Sequence, residues 1–286
     1  MKTYLDCFPC FVRQVIDTSR VAGMSVRQQH ELVQRTLVEA AGYDCAFAPS
    51  EMSSRIQAMV RQASSNGDPY RRAKDISTRQ ALSMYPKLKE LVQGATDPLE
   101  TAVRLSIAGN IMDHGVVADF DIGSTVERVL AEPFAINDLP ALRIALKHCR
   151  RVLYLADNAG ETVFDRLLIE TLPMPVTVAV KASATVNDAT REDALAAGLH
   201  LVATIVDNGA DALGTLLYRC SPDFVRQYQT AELIIAKGQA NFESLDGSGA
   251  PAFFLLQAKC QVIAAHLGVQ QYGIILKQEP PLPDQD

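Results

Sequence analysis

The chain has 286 residues and a net charge of −6, and 48% of its residues are hydrophobic, which is the composition of an ordinary folded protein. Because the basic residues are scattered, the sequence gives no support for a nucleic-acid groove or a basic membrane-surface patch. It lacks both the run of roughly twenty apolar residues that a bilayer crossing needs and a signal peptide, so we expect a cytoplasmic protein that acts on a small molecule.

Two of the six cysteines, Cys7 and Cys10, form a Cys-x-x-Cys pattern near the amino terminus. Such a pair can be half of a zinc site or a redox centre. No second pair follows, no histidine lies at a finger-like spacing, and the pair opens a helical stretch rather than following a strand. We therefore favour a structural role for these two thiols.

The first 130 residues show a helical pattern, in which apolar residues recur at spacings of three and four. Ser25 and the pair Asp97-Pro98 are typical helix starts. No convincing strand interrupts the pattern, so this half is predicted to be a helical bundle or cap. Its apolar faces include Phe11, Val15, Leu32, Met59, Val60, Leu82, Leu88 and Val92.

After Pro133 the pattern changes, and short apolar runs alternate with helical stretches. Alternation of this kind predicts a three-layer αβα fold with a mostly parallel, Rossmann-like sheet. We expect a helical domain over residues 1–130, an α/β domain over residues 131–278 and a flexible tail over residues 279–286. The apolar runs cover residues 152–156, 176–180, 201–206, 233–236 and 272–276, and helices are predicted to begin near Asp138, Glu161, Arg191, Gly209 and Ala252.

Polar residues follow four of these predicted strands. Asp157 and Asn158 follow the first, Asn187-Asp188 the second and Asp207-Asn208 the third, while the fourth leads into the segment 237–243. In open α/β sheets ligands bind beyond the carboxyl ends of the strands, so these side chains are expected at one edge. For the first stretch alone, a simple turn capped by Asp157 is an equally good interpretation.

The residue types at this edge suggest a metal and a phosphate. Asp and Asn oxygens without His or Cys form a hard site that suits Mg²⁺ or Mn²⁺, and Co²⁺ or Ni²⁺ would also bind. The helix beginning at Glu161 points free N–H groups at the same place and favours an anion. Lys237 could hold a phosphoryl oxygen, and Gly238 beside it allows close approach of the backbone to a ligand. A solvated Lys237 after an edge strand is the alternative.

Other catalytic motifs are absent or incomplete. The stretch from Asp119 through Asp121 to Thr125 superficially matches the Asp-x-Asp-x-Thr signature of haloacid-dehalogenase-type phosphatases, but no strand is predicted before it and Gly123 occupies the Thr position. We therefore reject it as a nucleophile motif. Phosphate-binding loops of the Walker type and dinucleotide fingerprints do not occur.

Three motifs together resemble the domain-of-unknown-function family eighty-nine. They are Asp157-Asn158-Ala-Gly160-Glu161, Asn187-Asp188-Ala-Thr190 with the acidic pair after it, and Lys237-Gly-Gln-Ala-Asn241-Phe-Glu243. The resemblance covers nearly the whole chain and includes the Cys7 pair, which is similar to that of the archaeal and bacterial branch. Members of this family are damage-control phosphatases that depend on a metal, and some are described as carboxyl-methyltransferase-like.

The resemblance implies roles for individual residues. Asp157, Asn158 and Asp188 would be the metal ligands, and Asn241 would contact the substrate with Lys237 beside it. Lys259 matches a lysine that binds the substrate phosphate in related branches, and Asn110 would reach the site from the helical half. The helix start at Gly160-Glu161 is predicted, from its position and not from the resemblance, to form one wall of the phosphate pocket. Ala240 departs from the family pattern, which usually has glycine there.

The sequence thus predicts a phosphatase that uses a divalent metal (Mn, Mg, Co or Ni) to hydrolyse small phosphorylated metabolites, such as sugar phosphates or damaged phospho-metabolites. Asp157 or Asp188 could also act as base or nucleophile. A methyltransferase using S-adenosylmethionine and a non-catalytic binding module in which the helical half recognises a partner are the alternatives. The sequence does not indicate an oligomeric state.

Overall fold

The computed structural model describes residues 1–64, 66–111 and 122–282, which form twelve α-helices and seven β-strands. The helices are α1 (Phe8–Val21), α2 (Val26–Ala41), α3 (Pro49–Ala63), α4 (Arg71–Gly94), α5 (Pro98–Ile111), α6 (Ile122–Ala131), α7 (Leu139–His148), α8 (Thr162–Thr171), α9 (Arg191–Ala196), α10 (Pro222–Gln229), α11 (Gly238–Leu245) and α12 (Gln261–Leu267). The strands are β1 (Ile136–Asn137), β2 (Val152–Leu155), β3 (Val176–Val180), β4 (Thr204–Asp207), β5 (Ile234–Lys237), β6 (Ala252–Gln257) and β7 (Ile274–Gln278).

The strands form one sheet in the order β1-β7-β6-β5-β2-β3-β4, in which only the β6–β7 pair is antiparallel. Helices cover both faces, so the predicted αβα fold with a mostly parallel sheet is confirmed. β2 lies inside the sheet between β5 and β3, and all four of its residues are buried, as expected of a strand covered on both sides. Within the described ranges, no helix combines the length and apolar character needed to cross a membrane.

Two predicted helices are wrong. The stretch beginning at Ala252 is strand β6, and all six of its residues are buried between β5 and β7. A continuous apolar run carries no alternation, so periodicity alone does not distinguish such a strand from a buried helix. The stretch beginning at Gly209 forms turns and a short 3₁₀ segment, and the next helix starts only at Pro222. Asn208 bonds the N–H of Ala210 there, which favours a turn over a helix start.

The predicted helix starts at Ser25 and Asp97 are confirmed. Ser25 accepts the N–H of Gln28, and the Gln28 side chain accepts the N–H of Ser25, which is a capping box at the start of α2. Asp97 accepts the N–H of Glu100 in the first turn of α5. These caps satisfy N–H groups that have no partner within the helix.

The hydrophobic core has two large parts, one on each face of the sheet, and a smaller amino-terminal part. Helices α4 to α9 pack on one face together with alternate residues of β2, β3, β5, β6 and β7, while α10, α11 and α12 pack on the other. The third cluster belongs to α1, α2 and α3. The core is therefore continuous from α4 across residue 130 into the sheet. The predicted division into domains stays a prediction.

The start of the predicted tail is bonded to the sheet. Glu279 is buried, and its N–H donates to the Ala252 carbonyl oxygen at 2.8 Å. Its carboxylate accepts the N–H of Gly249 at 3.2 Å. The last four residues of the chain lie outside the described ranges.

A buried lysine joins the helical region to the α/β region. Lys74 on α4 is fully buried, and its Nζ lies 2.7 Å from Asp68 and 2.9 Å from Asp193. The same Asp193 oxygen accepts the N–H and O–H of Thr190, two residues after Asp188. The ion pair therefore fixes the segment that carries one of the predicted metal ligands.

The strand order places a topological switch between β2 and β5. From β2 the chain proceeds to β3 and β4 on one side, and then returns to β5 on the other side of β2. β2 and β5 are parallel neighbours with Leu155 opposite Ala236, so the segments that follow both strands diverge from one point. Crevices of this kind bind ligands in open α/β sheets.

Candidate functional site

The site is built where the segment after β2 meets the segment that leads into α9. The N–H of Ala189 donates to the Asp157 carbonyl oxygen at 2.7 Å, and the N–H of Ala159 donates to that of Asn187 at 2.9 Å. These bonds form an antiparallel bridge between Asn158 and Asp188. The structure therefore brings together the three residues predicted as metal ligands, and all three are buried.

The Asp157 carboxylate is held by two carboxamides. Its Oδ2 accepts hydrogen bonds from Asn110 Nδ2 at 2.8 Å and from Asn158 Nδ2 at 3.0 Å. On its other side it lies against Gly238, which has a φ of +79°. A Cβ at Gly238 would be 1.8 Å from Asp157 Oδ2, so this position requires glycine both for its backbone conformation and for space. Gly238 was expected to let the backbone approach a ligand, and in the structure it lets the backbone approach the Asp157 carboxylate.

Glu161 bonds the same two carboxamides. Its Oε2 accepts from Asn110 Nδ2 at 2.9 Å and from Asn158 Nδ2 at 3.0 Å. Each NH₂ group thus donates one hydrogen bond to Asp157 and one to Glu161. Asn110 Oδ1 is buried, and no residue in the described parts of the chain donates a hydrogen bond to it.

Lys237 is fully buried beneath this arrangement. Its Nζ donates to Glu161 Oε1 at 2.6 Å, to Asp165 Oδ1 at 2.6 Å and to the Ser106 carbonyl oxygen at 2.9 Å. An ammonium has three donors, and here all three are used inside the protein. Lys237 was expected to bind a phosphoryl oxygen, whereas its three donors bond three groups of the protein. Its contact with the substrate stays a prediction.

Sequence reasoning missed Asp165, which completes this buried ionic cluster. Its Oδ1 also accepts the hydroxyls of Tyr154 at 2.7 Å and Ser106 at 2.8 Å. Burial raises the pKa of Asp165 to about 6, although the Lys237 charge opposes the shift. Burial lowers the pKa of Lys237, but the charges of Asp165 and Glu161 outweigh it, so the net shift is upward. Asp165 lies one turn after Glu161 on α8, and only that spacing could have indicated it.

Asp188 lies beside a second buried lysine that sequence reasoning also missed. Lys181 Nζ is 3.5 Å from Asp188 Oδ2 and donates to the Gly214 carbonyl oxygen. Lys181 directly follows β3, so its place at a strand end was the available signal. The cluster thus has a cation on each side, Lys237 near Glu161 and Lys181 near Asp188.

Asn241 joins the ends of the two central strands. Its Nδ2 donates to the carbonyl oxygens of Lys237 at 2.8 Å and Ala156 at 3.3 Å, and its Oδ1 accepts the Thr215 hydroxyl at 2.7 Å. Lys259 follows β6 at the same edge of the sheet and is half-buried. The roles of both residues in substrate binding stay predictions.

The third predicted strand end does not contribute to the cluster. Asp207 is exposed and accepts the N–H of Gly209, while Asn208 bonds the N–H of Ala210. The two side chains form a turn, which is the simpler of the two interpretations of such a pair. The rejected stretch at Asp119 and Asp121 lies outside the described residues.

The cysteines of the amino-terminal pair are free thiols near a third one. Cys7, Cys10 and Cys260 line a cavity of about 450 Å³ together with Gln239 and Glu243. Among the described residues, no three His, Cys, Asp or Glu side chains are grouped so that they could hold a metal ion. A structural role for Cys7 and Cys10 stays a prediction.

Glu243, the last residue of the third motif, faces this cavity, and its environment predicts a pH effect. Burial raises the pKa of Glu243 from 4.5 to about 7, and the hydrogen bond from Gln239 and the terminal amine only partly oppose this. Because the folded state retains the proton of Glu243 to higher pH than the unfolded state, the contribution of Glu243 to stability is greatest below about pH 4.5 and is lost as pH rises through about 7. We expect Glu243→Gln, which never ionises, to be more stable than wild type above pH 7 by up to about 3 kcal/mol. Urea denaturation of both proteins at pH 5 and pH 8 measures the difference, and an equal difference at the two pH values would contradict the assignment.

The fold and the cluster define an αβα protein with buried carboxylates and carboxamides at the topological switch point, where proteins of this architecture bind small ligands. The family model described as the damage-control phosphatase ARMT1-like domain matches residues 3–275. The chain therefore belongs to this family, and the resemblance found in the sequence is confirmed.

Relatives of known sequence and structure cover almost the whole chain. A damage-control phosphatase of Archaeoglobus fulgidus is 34% identical, over 97% of this chain and 99% of the relative. One of Pyrococcus horikoshii is 31% identical, over 96% of this chain and 97% of the relative. The crystal structure of a DUF89 family protein from Pyrococcus horikoshii has a TM-score of 0.87 at 29% identity, and the match covers 98% of this chain and 99% of that one.

Proposed function

We propose that this protein is a phosphatase that hydrolyses small phosphorylated metabolites with a divalent metal held by Asp157, Asn158 and Asp188. The observation that carries the proposal is the meeting of these three buried side chains at the switch point of the sheet. Two relatives that match nearly the whole chain are named damage-control phosphatases, which supports the phosphatase class.

The residues of the cluster fit a hard cation. The donors are carboxylate and carboxamide oxygens, which Mg²⁺, Mn²⁺, Co²⁺ and Ni²⁺ accept as ligands. Asn110 supplies a further buried oxygen that has no hydrogen-bond donor among the described residues. When bound, the metal would polarise a phosphoryl oxygen and lower the pKa of a water molecule.

The surrounding residues would bind and orient the phosphate ester. Lys259, which follows β6, would offset the phosphate charge, and Asn241, which bonds the ends of β2 and β5, would contact the substrate. Asp157 or Asp188 would act as general base or as nucleophile. Lys181 offsets the charge of Asp188 at 3.5 Å.

The alternatives have less support. A site for S-adenosylmethionine needs a glycine-rich turn after the first strand of the Rossmann-like unit. In this chain the residue after Ala156 is Asp157, whose carboxylate is packed against Gly238 and leaves no space for a ligand at that contact. No observation on the described residues favours a non-catalytic binding module.

A panel assay tests the proposed function. The protein is freed of metal with EDTA and assayed on phosphorylated sugars and other phosphorylated metabolites with Mg²⁺, Mn²⁺, Co²⁺ or Ni²⁺. We expect phosphate release that EDTA abolishes and at least one of these metals restores. Full activity in EDTA, or binding of S-adenosylmethionine in a metal-free calorimetric titration together with no phosphate release, would contradict the proposal.

A further inference from the structure

Two carboxamides and two carboxylates form a closed arrangement at the site. The NH₂ groups of Asn110 and Asn158 each donate to Asp157 Oδ2 and to Glu161 Oε2, at distances between 2.8 and 3.0 Å. A planar amide whose NH₂ group is committed in this way must direct its Oδ1 away from both carboxylates. The acceptors therefore decide which end of each carboxamide faces the ligand.

Asp157 alone would not fix this orientation, because a carboxamide can rotate about a single hydrogen bond. Glu161 supplies the second acceptor for both NH₂ groups through one oxygen, Oε2. Its other oxygen, Oε1, is held by Lys237 at 2.6 Å, so Glu161 cannot turn without breaking that bond as well. Both Glu161 and Lys237 are fully buried. Solvent screens a buried ion pair only weakly, so the attraction between the two charges holds both side chains in place.

Lys237 is in turn fixed from several elements. It lies at the end of β5 and bonds Asp165 on α8 and the Ser106 carbonyl oxygen on α5. Asp165 is held by Tyr154 of β2 and by the Ser106 hydroxyl. Asn110 follows Ser106 by four residues on α5, so it lies one turn further along the same helix. The orientation of the carboxamides thus depends on a buried cluster built from four elements.

We propose that Glu161 and Lys237 are positioning residues, which fix the carboxamides of Asn110 and Asn158 so that both Oδ1 atoms serve the cation. This inference rests on the proposed function and extends it in two ways. It adds Asn110 to the oxygen donors that surround the cation, and it assigns Lys237 to orienting the site rather than to binding the phosphate.

The test measures Mn²⁺ binding directly, by electron paramagnetic resonance of free Mn²⁺, before any activity assay. Glu161→Gln keeps the size of the side chain but loses the charge that Lys237 holds. We expect it to weaken Mn²⁺ binding about 10- to 100-fold, which is the usual effect of removing a partner of a metal ligand. At saturating Mn²⁺, kcat should fall while KM for the phosphate ester changes little, because the residue does not contact the substrate.

A matched control lies at the other end of the same helix. Glu170 on α8 accepts hydrogen bonds from Tyr85 and Arg166 and pairs with Lys89 at 2.7 Å, far from the carboxamides. Glu170→Gln therefore removes a comparable charge from α8, and its Mn²⁺ affinity should equal that of wild type. Equal weakening in both variants would mean that Glu161 acts only through the stability of the helix.

Two further variants separate the possible failures. Asn110→Ala should also weaken Mn²⁺ binding about tenfold, and it keeps the test decisive if Glu161→Gln does not fold. Wild-type Mn²⁺ affinity in Asn110→Ala, or an unchanged affinity with a raised KM in Glu161→Gln, would overturn the inference. If Asp157→Ala binds Mn²⁺ as wild type does, the proposed metal site itself is wrong, whatever the other variants show.

Discussion

Asp157→Ala is expected to lower the rate of metal-stimulated phosphate-ester hydrolysis by about a thousandfold. A bound metal stabilises the charge that develops on a phosphoryl group by several kcal/mol, and each 1.4 kcal/mol or so corresponds to a factor of ten in rate. Asp157 is a predicted ligand of this metal, and it also accepts hydrogen bonds from Asn110 and Asn158. Its removal would therefore take away one predicted ligand and one of the two carboxylates that hold the carboxamides of Asn110 and Asn158.

The measurement is kcat/KM for phosphate release at saturating metal, on the best substrate of the panel. Asp207→Ala is the matched control, because Asp207 also lies at the carboxyl end of a strand of the same sheet but is exposed and forms a turn. We expect this control to keep the wild-type rate. Circular dichroism of both variants shows whether they are folded. A folded Asp157→Ala protein with full activity would show that the site is wrongly placed.

The part of the site that follows from sheet topology was predictable from the sequence. The carboxyl ends of parallel strands meet at one edge, so Asp157 after β2 and Asp188 after β3 were expected together. The structure brings their backbones into one antiparallel bridge. The same rule on strand ends placed Asp207 at this edge of the sheet, but it could not predict that Asp207 is exposed. Turns and ligand sites both use Asp and Asn, so the residue types alone do not distinguish them.

The contacts between distant elements could not be predicted. Lys237 was expected to face a ligand because it ends a predicted strand and precedes Gly238. Nothing in the sequence shows that Glu161 and Asp165, 76 and 72 residues away, lie within 2.6 Å of its Nζ. The packing of α8 and α5 over β5 gives Lys237 these buried partners, and its predicted contact with the substrate stays a prediction. Strand β6 was missed for a related reason, since its six buried residues carry no periodic signal.

Gly238→Ala should reduce activity by at least about a hundredfold, although the residue contributes no side chain to the site. An added Cβ would lie 1.8 Å from Asp157 Oδ2 and 2.3 Å from its Cγ, so the carboxylate must move by more than about 1 Å. Displacements of this size at a catalytic group cost about a hundredfold in rate. We also expect a loss of about 2 kcal/mol in the free energy of unfolding, from the clash and from the φ of +79°.

Gly247→Ala separates these two causes. Gly247 has nearly the same backbone conformation, with a φ of +81°, but an added Cβ there would have no neighbour within 4 Å. This control should therefore lose about 1 kcal/mol in the free energy of unfolding and retain wild-type kcat/KM. If Gly238→Ala loses activity and Gly247→Ala does not, the effect comes from the displaced Asp157 and not from backbone strain. An alanine at position 238 must displace the Asp157 carboxylate. If both variants nevertheless keep wild-type kcat/KM, the exact position of this carboxylate does not determine the rate of hydrolysis.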